Sequence, residues 1–221
     1  MDYKILADKI IYFEGAMPDS IRFIEEINKA DTPFITDWLP WEKYTSDGIT
    51  GSMKNYGLVK IIYGEHLLTK KIKSFPNDSF DSVLNLRNSI KEACNIYQNK
   101  YNVQIENSNN RDMYVISQYS GDNEVDLQEH IDINGDWEEY SILVYFNDDY
   151  IGGEIEFTKL GIKIKPNAGS ILIFPSGDPY SHTAHKSYDK KKYFMSHFWN
   201  SGAGAGFKPL EIMPNEIIVR D

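Results

Sequence analysis

The sequence predicts a mainly β protein: a sandwich or barrel core, with two N-terminal helices packed on the outside of one sheet. Three observations carry that expectation. Apolar residues recur at helical spacing before Tyr101 and at a period of two after it. The second half then divides into short apolar segments near residues 113–119, 129–132, 140–147, 154–157, 162–165, 170–174 and 192–199. Turn-forming pairs separate them, among them Ser120-Gly121, Asn134-Gly135, Gly152-Gly153 and Ser176-Gly177. Short strands at this spacing form a sandwich or a barrel, because each must bury one face against another layer.

Along the chain, residues 3–13 carry short apolar runs fit for a strand and its turn. Asp19 or Ser20 then caps a first helix whose buried side is Ile21, Phe23, Ile24, Ile27 and Ala30. From Asp31 to Pro76 the pattern is irregular, punctuated by Trp38, Trp41, Gly48, Gly51 and Gly57, with one strand at 58–63. Such a stretch either borders a substrate cleft, with Trp38 and Trp41 as its lining, or covers an edge of the core. Asp78 or Ser79 starts a longer helix with Val83, Leu86, Ile90, Cys94, Tyr97 and Tyr101 at helical spacing. Cys94 lies on that apolar stripe and reads as a buried structural thiol. The tail opens on Gly202-Ala203-Gly204-Ala205-Gly206, which lacks the Lys of a phosphate-binding loop. The expected organisation is one domain: residues 1–105 as helical support and lid loops, 106–200 as the core, and 201–221 as a tail.

Composition narrows the function. A length of 221 residues with 41% hydrophobic and 14% aromatic content is enough for one sizeable core. The formal net charge of −10 argues against nonspecific nucleic-acid binding, which needs clustered Lys and Arg on the phosphates. Cys94 is the single cysteine, so no intramolecular disulfide forms and a reducing compartment is expected. The first residues have no basic stretch followed by a long apolar run, and no segment approaches the roughly 18 apolar residues of a membrane span. The expectation is a soluble cytoplasmic protein without membrane contact.

Chemistry concentrates in Glu129-His130-Ile131-Asp132. On an extended backbone His130 and Asp132 point to the same side. A second His from downstream would complete a two-His, one-carboxylate face on a divalent metal, which leaves coordination positions open and suits non-haem Fe(II) oxygenases. A His-x-Asp tripeptide alone is weak evidence. His182, His185 and His197 all follow it. His197 is at odd spacing from Lys192, and so on the opposite face of the last strand. Of Lys190-Lys191-Lys192, only Lys192 lies along the final strand expected at 192–199, in phase with Phe194, Ser196 and Phe198 and facing inward if that strand lines the core. A buried ammonium needs an anion, and no acid occupies the inward positions of that strand.

The order of Tyr119, His130-x-Asp132, Leu143-Val144-Tyr145-Phe146-Asn147, Gly152-Gly153-Glu154-Ile155-Glu156-Phe157, Pro166-x-x-Gly169, Phe174, His182 and Lys192-Tyr193 resembles the Fe(II)/2-oxoglutarate dioxygenases, most closely the prolyl 4-hydroxylase branch. The resemblance spans Tyr119 to Trp199; the N-terminal half shares only the family's strand-and-helix outline. It implies a double-stranded β-helix core of the jelly-roll or cupin kind. It also implies metal ligands His130, Asp132 and His182, with His185 in reserve, since the family's spacing to the following cation matches 182 to 192 better than 185 to 192. Lys192 would pair the C5 carboxylate of 2-oxoglutarate, and Tyr119, Tyr145 and Ser196 match positions that hydrogen-bond this co-substrate. The implied cofactors are Fe(II), 2-oxoglutarate and O2, with L-ascorbate as an accessory. The implied reaction couples oxidative decarboxylation of 2-oxoglutarate to hydroxylation of a C–H bond. Halogenating relatives replace the acid that is here Asp132, so hydroxylation is expected. Proline in a peptide or protein is the expected substrate, a small molecule or free amino acid the alternative. A cupin-like metal-binding protein without turnover is the competing class. No Gly-x-Ser-x-Gly elbow supports a hydrolase.

Overall fold

A computed structural model describes residues 1–30, 35–40, 57–63, 78–105, 113–119, 127–132 and 140–199. Its strands are β1 (Lys4–Ala7), β2 (Ile10–Phe13), β3 (Leu39–Pro40), β4 (Leu58–Tyr63), β5 (Met113–Tyr119), β6 (Leu127–His130), β7 (Tyr140–Tyr145), β8 (Ile151–Gly152), β9 (Ile155–Phe157), β10 (Ile162–Ile164), β11 (Ser170–Pro175), β12 (His182–Ala184), β13 (Ser187–Tyr188) and β14 (Lys192–Trp199). The helices are α1 (Ser20–Lys29) and α2 (Asp78–Tyr101). Among the described residues the major sheet runs β1-β2-β11-β7-β14-β5-β4-β3, the minor sheet β10-β9-β12-β6, and β13 pairs with β8. Every named pair is antiparallel. This is a double-stranded β-helix.

Alternation along the central strands sorts the side chains into two cores. Ile142 and Val144 of β7 and Phe146 just after it join Ile171 and Ile173 of β11 and Met195 of β14 on one face. That face receives Phe23, Ile24 and Ile27 of α1 and Val83, Leu86, Ile90, Cys94 and Tyr97 of α2. The Phe23 and Phe146 rings stack there at 4.9 Å between centroids. Each fully buried apolar side chain of this layer contributes roughly 1.5–3 kcal/mol relative to exposure. The in-between residues Leu143, Tyr145, Leu172, Phe174 and Phe194 face the other way, and with Ile155 and Phe157 of the minor sheet they form the barrel interior. The helices therefore support one sheet from outside, as the sequence predicts.

Some local expectations change. Ile21 is 58% exposed, because it lies about 200° around the helix from Phe23 and so outside the stripe that Phe23, Ile24 and Ile27 define. Asp19 occupies the N-cap position of α1 without a side-chain cap bond. The strand expected at 129–132 runs Leu127–His130 and stops before Asp132. Strand β12, in the segment that carries His182, has no counterpart among the expected strands. Gly169, in the Pro166-x-x-Gly169 turn, has φ +72°, and a Cβ there would sit 2.3 Å from the Met17 carbonyl oxygen. Its carbonyl accepts the Met17 N–H at 2.9 Å, which ties the approach to α1 to the end of the barrel. Among the described residues no helix is long and apolar enough to cross a membrane.

Candidate active site

Strands β6 and β12 are neighbours in the minor sheet, and their register sets His130 directly against His182. The two imidazole centroids are 4.5 Å apart. Beyond β6 the chain bends toward the end of β11, where the Asp132 N–H donates to the Ser176 carbonyl at 3.0 Å. That bend carries the Asp132 carboxylate to both rings: Oδ1 lies 3.5 Å from His130 Nε2, and Oδ2 lies 3.6 Å from His182 Nε2. One ligand atom from each of the three residues falls within 4.8 Å of the others.

The imidazoles are aimed by their backbone. His130 Nδ1 lies 2.8 Å from the Gln128 carbonyl and His182 Nδ1 lies 3.2 Å from that of Tyr180. A carbonyl oxygen only accepts, so Nδ1 carries a proton in each ring, and Nε2, facing the carboxylate, is the atom left to bind a metal when the ring is neutral. Phe157 and Phe174 pack around the His182 ring. Burial pushes the His182 imidazole down, with Asp132 offsetting part of this. Burial would also lower His130, but its hydrogen bonds with Asp132 and the Gln128 carbonyl outweigh that and raise it. Burial favours a neutral Asp132, yet the His130 hydrogen bond, the electrostatic influence of His182 and the Ser141 hydroxyl together hold its carboxyl below the usual range. Two nitrogen donors and one carboxylate on one side of a metal position fit Fe(II) and leave its far side open.

Further into the interior, the three adjacent lysines separate where β14 begins, Lys191 being out of phase with Lys192 and Lys190 lying before the strand. Lys190 and Lys191 are exposed, whereas Lys192 is 3% exposed. Its Nζ donates to the Gly153 carbonyl at 2.8 Å. The rings of Phe194, Tyr145 and Tyr150 have centroids 5.4, 5.5 and 5.6 Å from it. Gly153 has φ +73°, and a Cβ there would meet the Tyr150 ring at 2.5 Å, so glycine lets the carbonyl reach the ammonium. Burial pushes the ammonium down to about 8, Glu154 offsetting part of this and Lys165 adding to it. Among the described residues no carboxylate pairs with it. A buried cation held by one carbonyl and three ring faces fits the distal carboxylate of a diacid.

A family model described as the 2OG-Fe(II) oxygenase superfamily matches residues 114–200, from β5 through β14. Residues 114–200 thus resemble a 2OG-Fe(II) oxygenase domain. The family's cofactors are Fe(II), 2-oxoglutarate and O2, and the match supports a 2-oxoglutarate-dependent dioxygenase. No curated protein matches the chain in sequence. Solved structures share the fold at low identity. A prolyl hydroxylase of Trichoplax adhaerens, in complex with a hypoxia inducible factor oxygen degradation domain peptide, aligns with TM-score 0.58 and 14% identity over 88% of this chain and 84% of its own. A 2OG-Fe(II) oxygenase family oxidoreductase of Burkholderia pseudomallei gives 0.54 and 14% over 90% and 87%. A Pseudomonas putida prolyl-4-hydroxylase gives 0.52 and 13% over 87% and 92%.

The other residues singled out in the sequence fall in different places around the oxygenase domain. Tyr119 pairs directly with Lys192 across β5 and β14, and its ring meets Phe194 edge-on at 4.7 Å. Tyr145 is buried beneath Lys192, and burial pushes its hydroxyl well above the ordinary range. Ser196 is half-buried, in phase with Lys192 on β14. His185 is not among the three: its Nε2 lies 2.6 Å from Glu156 Oε2. His197 lies on the helix-bearing face, near Tyr114, and burial pushes its imidazole down to about 4. Trp38 is not brought to the triad either. Its Nε1 donates to Asn28 of α1 at 2.8 Å, and its ring lies 5.8 Å from that of Tyr193, on the face of β14 opposite Lys192. Trp41 lies outside the described residues.

Two residues near the triad were missed by the sequence reading. The Ser141 hydroxyl donates to Asp132 Oδ2 at 2.6 Å, and Ser141 Oγ lies 2.9 Å from Ser176 Oγ. The available signal was strand phase: Ser141 shares the inward phase of Leu143 and Tyr145, and Ser176 that of Phe174. A hydroxyl at an inward position of a buried strand needs a partner inside.

Proposed function

We propose that the chain hydroxylates proline in a peptide or protein, with His130, Asp132 and His182 as the metal ligands and Lys192 as the anchor of 2-oxoglutarate. The observation that carries the reading is the pairing of two sites in one interior: three convergent donors at one place and, at another, a buried ammonium with no carboxylate partner among the described residues. The balanced reaction takes the substrate C–H, 2-oxoglutarate and O2 to the alcohol, succinate and CO2. Bound Fe(II) supplies the redox centre at which O2 is activated. The protein's own part is positional. His130 and His182 present Nε2, Asp132 presents its carboxylate, and Lys192 holds the far end of the co-substrate, with Tyr119, Tyr145 and Ser196 on the same inward face. Phe157 and Phe174 exclude water from the side of His182.

The peptide substrate is supported by the Trichoplax prolyl hydroxylase in its peptide complex, and by the partial exposure of the His130 side chain at the triad. The test incubates the protein with Fe(II), ascorbate and 2-oxoglutarate, together with proline-rich peptides or free L-proline. Succinate release and a one-oxygen mass gain on the peptide are the expected outcome. Oxygen gain on free proline alone would remove the peptide substrate and leave the dioxygenase chemistry in place.

A further inference from the structure

The two oxygens of Asp132 are not equivalent. Oδ1 faces His130 Nε2 at 3.5 Å and Oδ2 faces His182 Nε2 at 3.6 Å, but Oδ2 also accepts the Ser141 hydroxyl at 2.6 Å. Ser141 and Ser176 are both fully buried, with their Oγ atoms 2.9 Å apart. The Ser176 carbonyl in turn accepts the Asp132 backbone N–H at 3.0 Å. Ser176 therefore fixes both the backbone of Asp132 and the hydroxyl that fixes its side chain. The next inward positions are apolar, Leu143 on β7 and Phe174 on β11. Two hydroxyls in that lining cost free energy unless each is bonded, so their occurrence is tied to what they hold.

We propose that Ser141 is the positioning residue of the metal-binding carboxylate, oriented by Ser176, and that the pair directs Asp132 to bind through Oδ1 alone. The inference rests on the triad reading given above. With one lone pair of Oδ2 engaged, turning the carboxylate to chelate through both oxygens would cost the Ser141 hydrogen bond, which favours binding through Oδ1. The coordination positions opposite the triad then stay open for the co-substrate. Without the hydroxyl, Asp132 rotates more freely, binds metal less tightly, and takes up a position that 2-oxoglutarate needs.

The test adds Co(II) anaerobically to the full chain and to Ser141→Ala, Ser141→Thr and Ser176→Ala, reading affinity and coordination from the visible Co(II) bands. Ser141→Ala should weaken Co(II) binding about ten- to a hundredfold, the range for outer partners of metal ligands. It should also alter the bands and blunt the spectral response to added 2-oxoglutarate. Ser141→Thr, which keeps the hydroxyl, should restore both, and Ser176→Ala should fall between. Binding by Ser141→Ala within about twofold of the parent, with unchanged bands, overturns the proposal. If Ser141→Ala does not fold, Ser176→Ala decides by the same criterion. A parent chain that binds no Co(II) would overturn the triad reading itself, which is a separate outcome.

Discussion

Replacing Lys192 by Met should move stability and co-substrate affinity in opposite directions. Met is unbranched and apolar, and fills nearly the same volume, so the surrounding rings stay in place. The buried ammonium is pushed from 10.5 down to about 8. At 1.36 kcal/mol per unit, that displacement disfavours the charged form by about 3 kcal/mol. Removing the charge relieves this cost but forfeits the bond to the Gly153 carbonyl and the ring contacts, leaving a net gain of about 1–2 kcal/mol in the ligand-free protein. The same change removes the charge-assisted contact to the 2-oxoglutarate carboxylate, worth about 1.5–3 kcal/mol or ten- to a hundredfold in affinity. Urea unfolding without ligand and anaerobic 2-oxoglutarate titration of the Co(II) form read the two effects. The pH dependence adds a check. Below about 8 both folded and unfolded lysine are charged, so the burial cost is present in full. Between about 8 and 10.5 the folded group gives up its proton first, so the ligand-free parent gains stability with rising pH and Lys192→Met does not. Affinity for 2-oxoglutarate should fall in the parent over that same rise. A Lys192→Met variant that is less stable and binds 2-oxoglutarate normally would refute the reasoning.

Three further outcomes follow from the site. Asp132→Ala and His182→Ala should lose metal binding and turnover with the fold intact, whereas His185→Ala, which forfeits only the Glu156 contact, should bind Co(II) as the parent does; the reverse order would make His185 the ligand. Metal affinity should fall as pH drops through the raised His130 value, because proton and metal compete for Nε2, and Co(II) titrations from about pH 8 to about pH 5.5 would show it; flat affinity over that range would exclude His130. Cys94 is buried and its thiol is pushed up to about 12, so iodoacetamide should modify it only after unfolding, and rapid alkylation of the native protein would contradict its place in the α2 seam.

Much of this was legible in the sequence, for physical reasons. Strands β4, β5 and β14 begin and end where the period-two pattern does, because each is long enough to alternate visibly between two cores. The inward phase of Lys192 followed from the same alternation, and the structure buries it while Lys190 and Lys191 stay in solvent. Strand β12 was not legible: His182-Thr183-Ala184 is too short to show a period, and it is a strand because β6 and β9 pair with it on either side. Asp132 was expected inside a strand, but its position comes from a hydrogen bond to Ser176, which no local pattern encodes. The Ser141–Ser176 contact is likewise invisible locally, since it joins two strand ends through the fold. Trp38 illustrates the converse. An aromatic in an irregular stretch left open a cleft lining or a cover for the core edge; its indole N–H donates to Asn28 and its ring lies near Tyr193, contacts that only tertiary packing creates.

The placement of the two candidate histidine ligands on β6 and β12 bears on local unfolding. Among the described strands β6 is the last in its sheet, four residues long and paired only with β12. A short edge strand of this kind opens at small cost, so its amides exchange with solvent long before the central strands do. A metal bridging His130 on the edge to His182 on the strand inside it acts as a clasp across that last ladder. Binding would then show first as slowed hydrogen exchange in β6 and β12, with β7 and β11 little changed because global unfolding already limits them. Iron supply would thereby set how long the rim of the barrel stays closed, and with it the exposure of an unpaired strand edge to other chains.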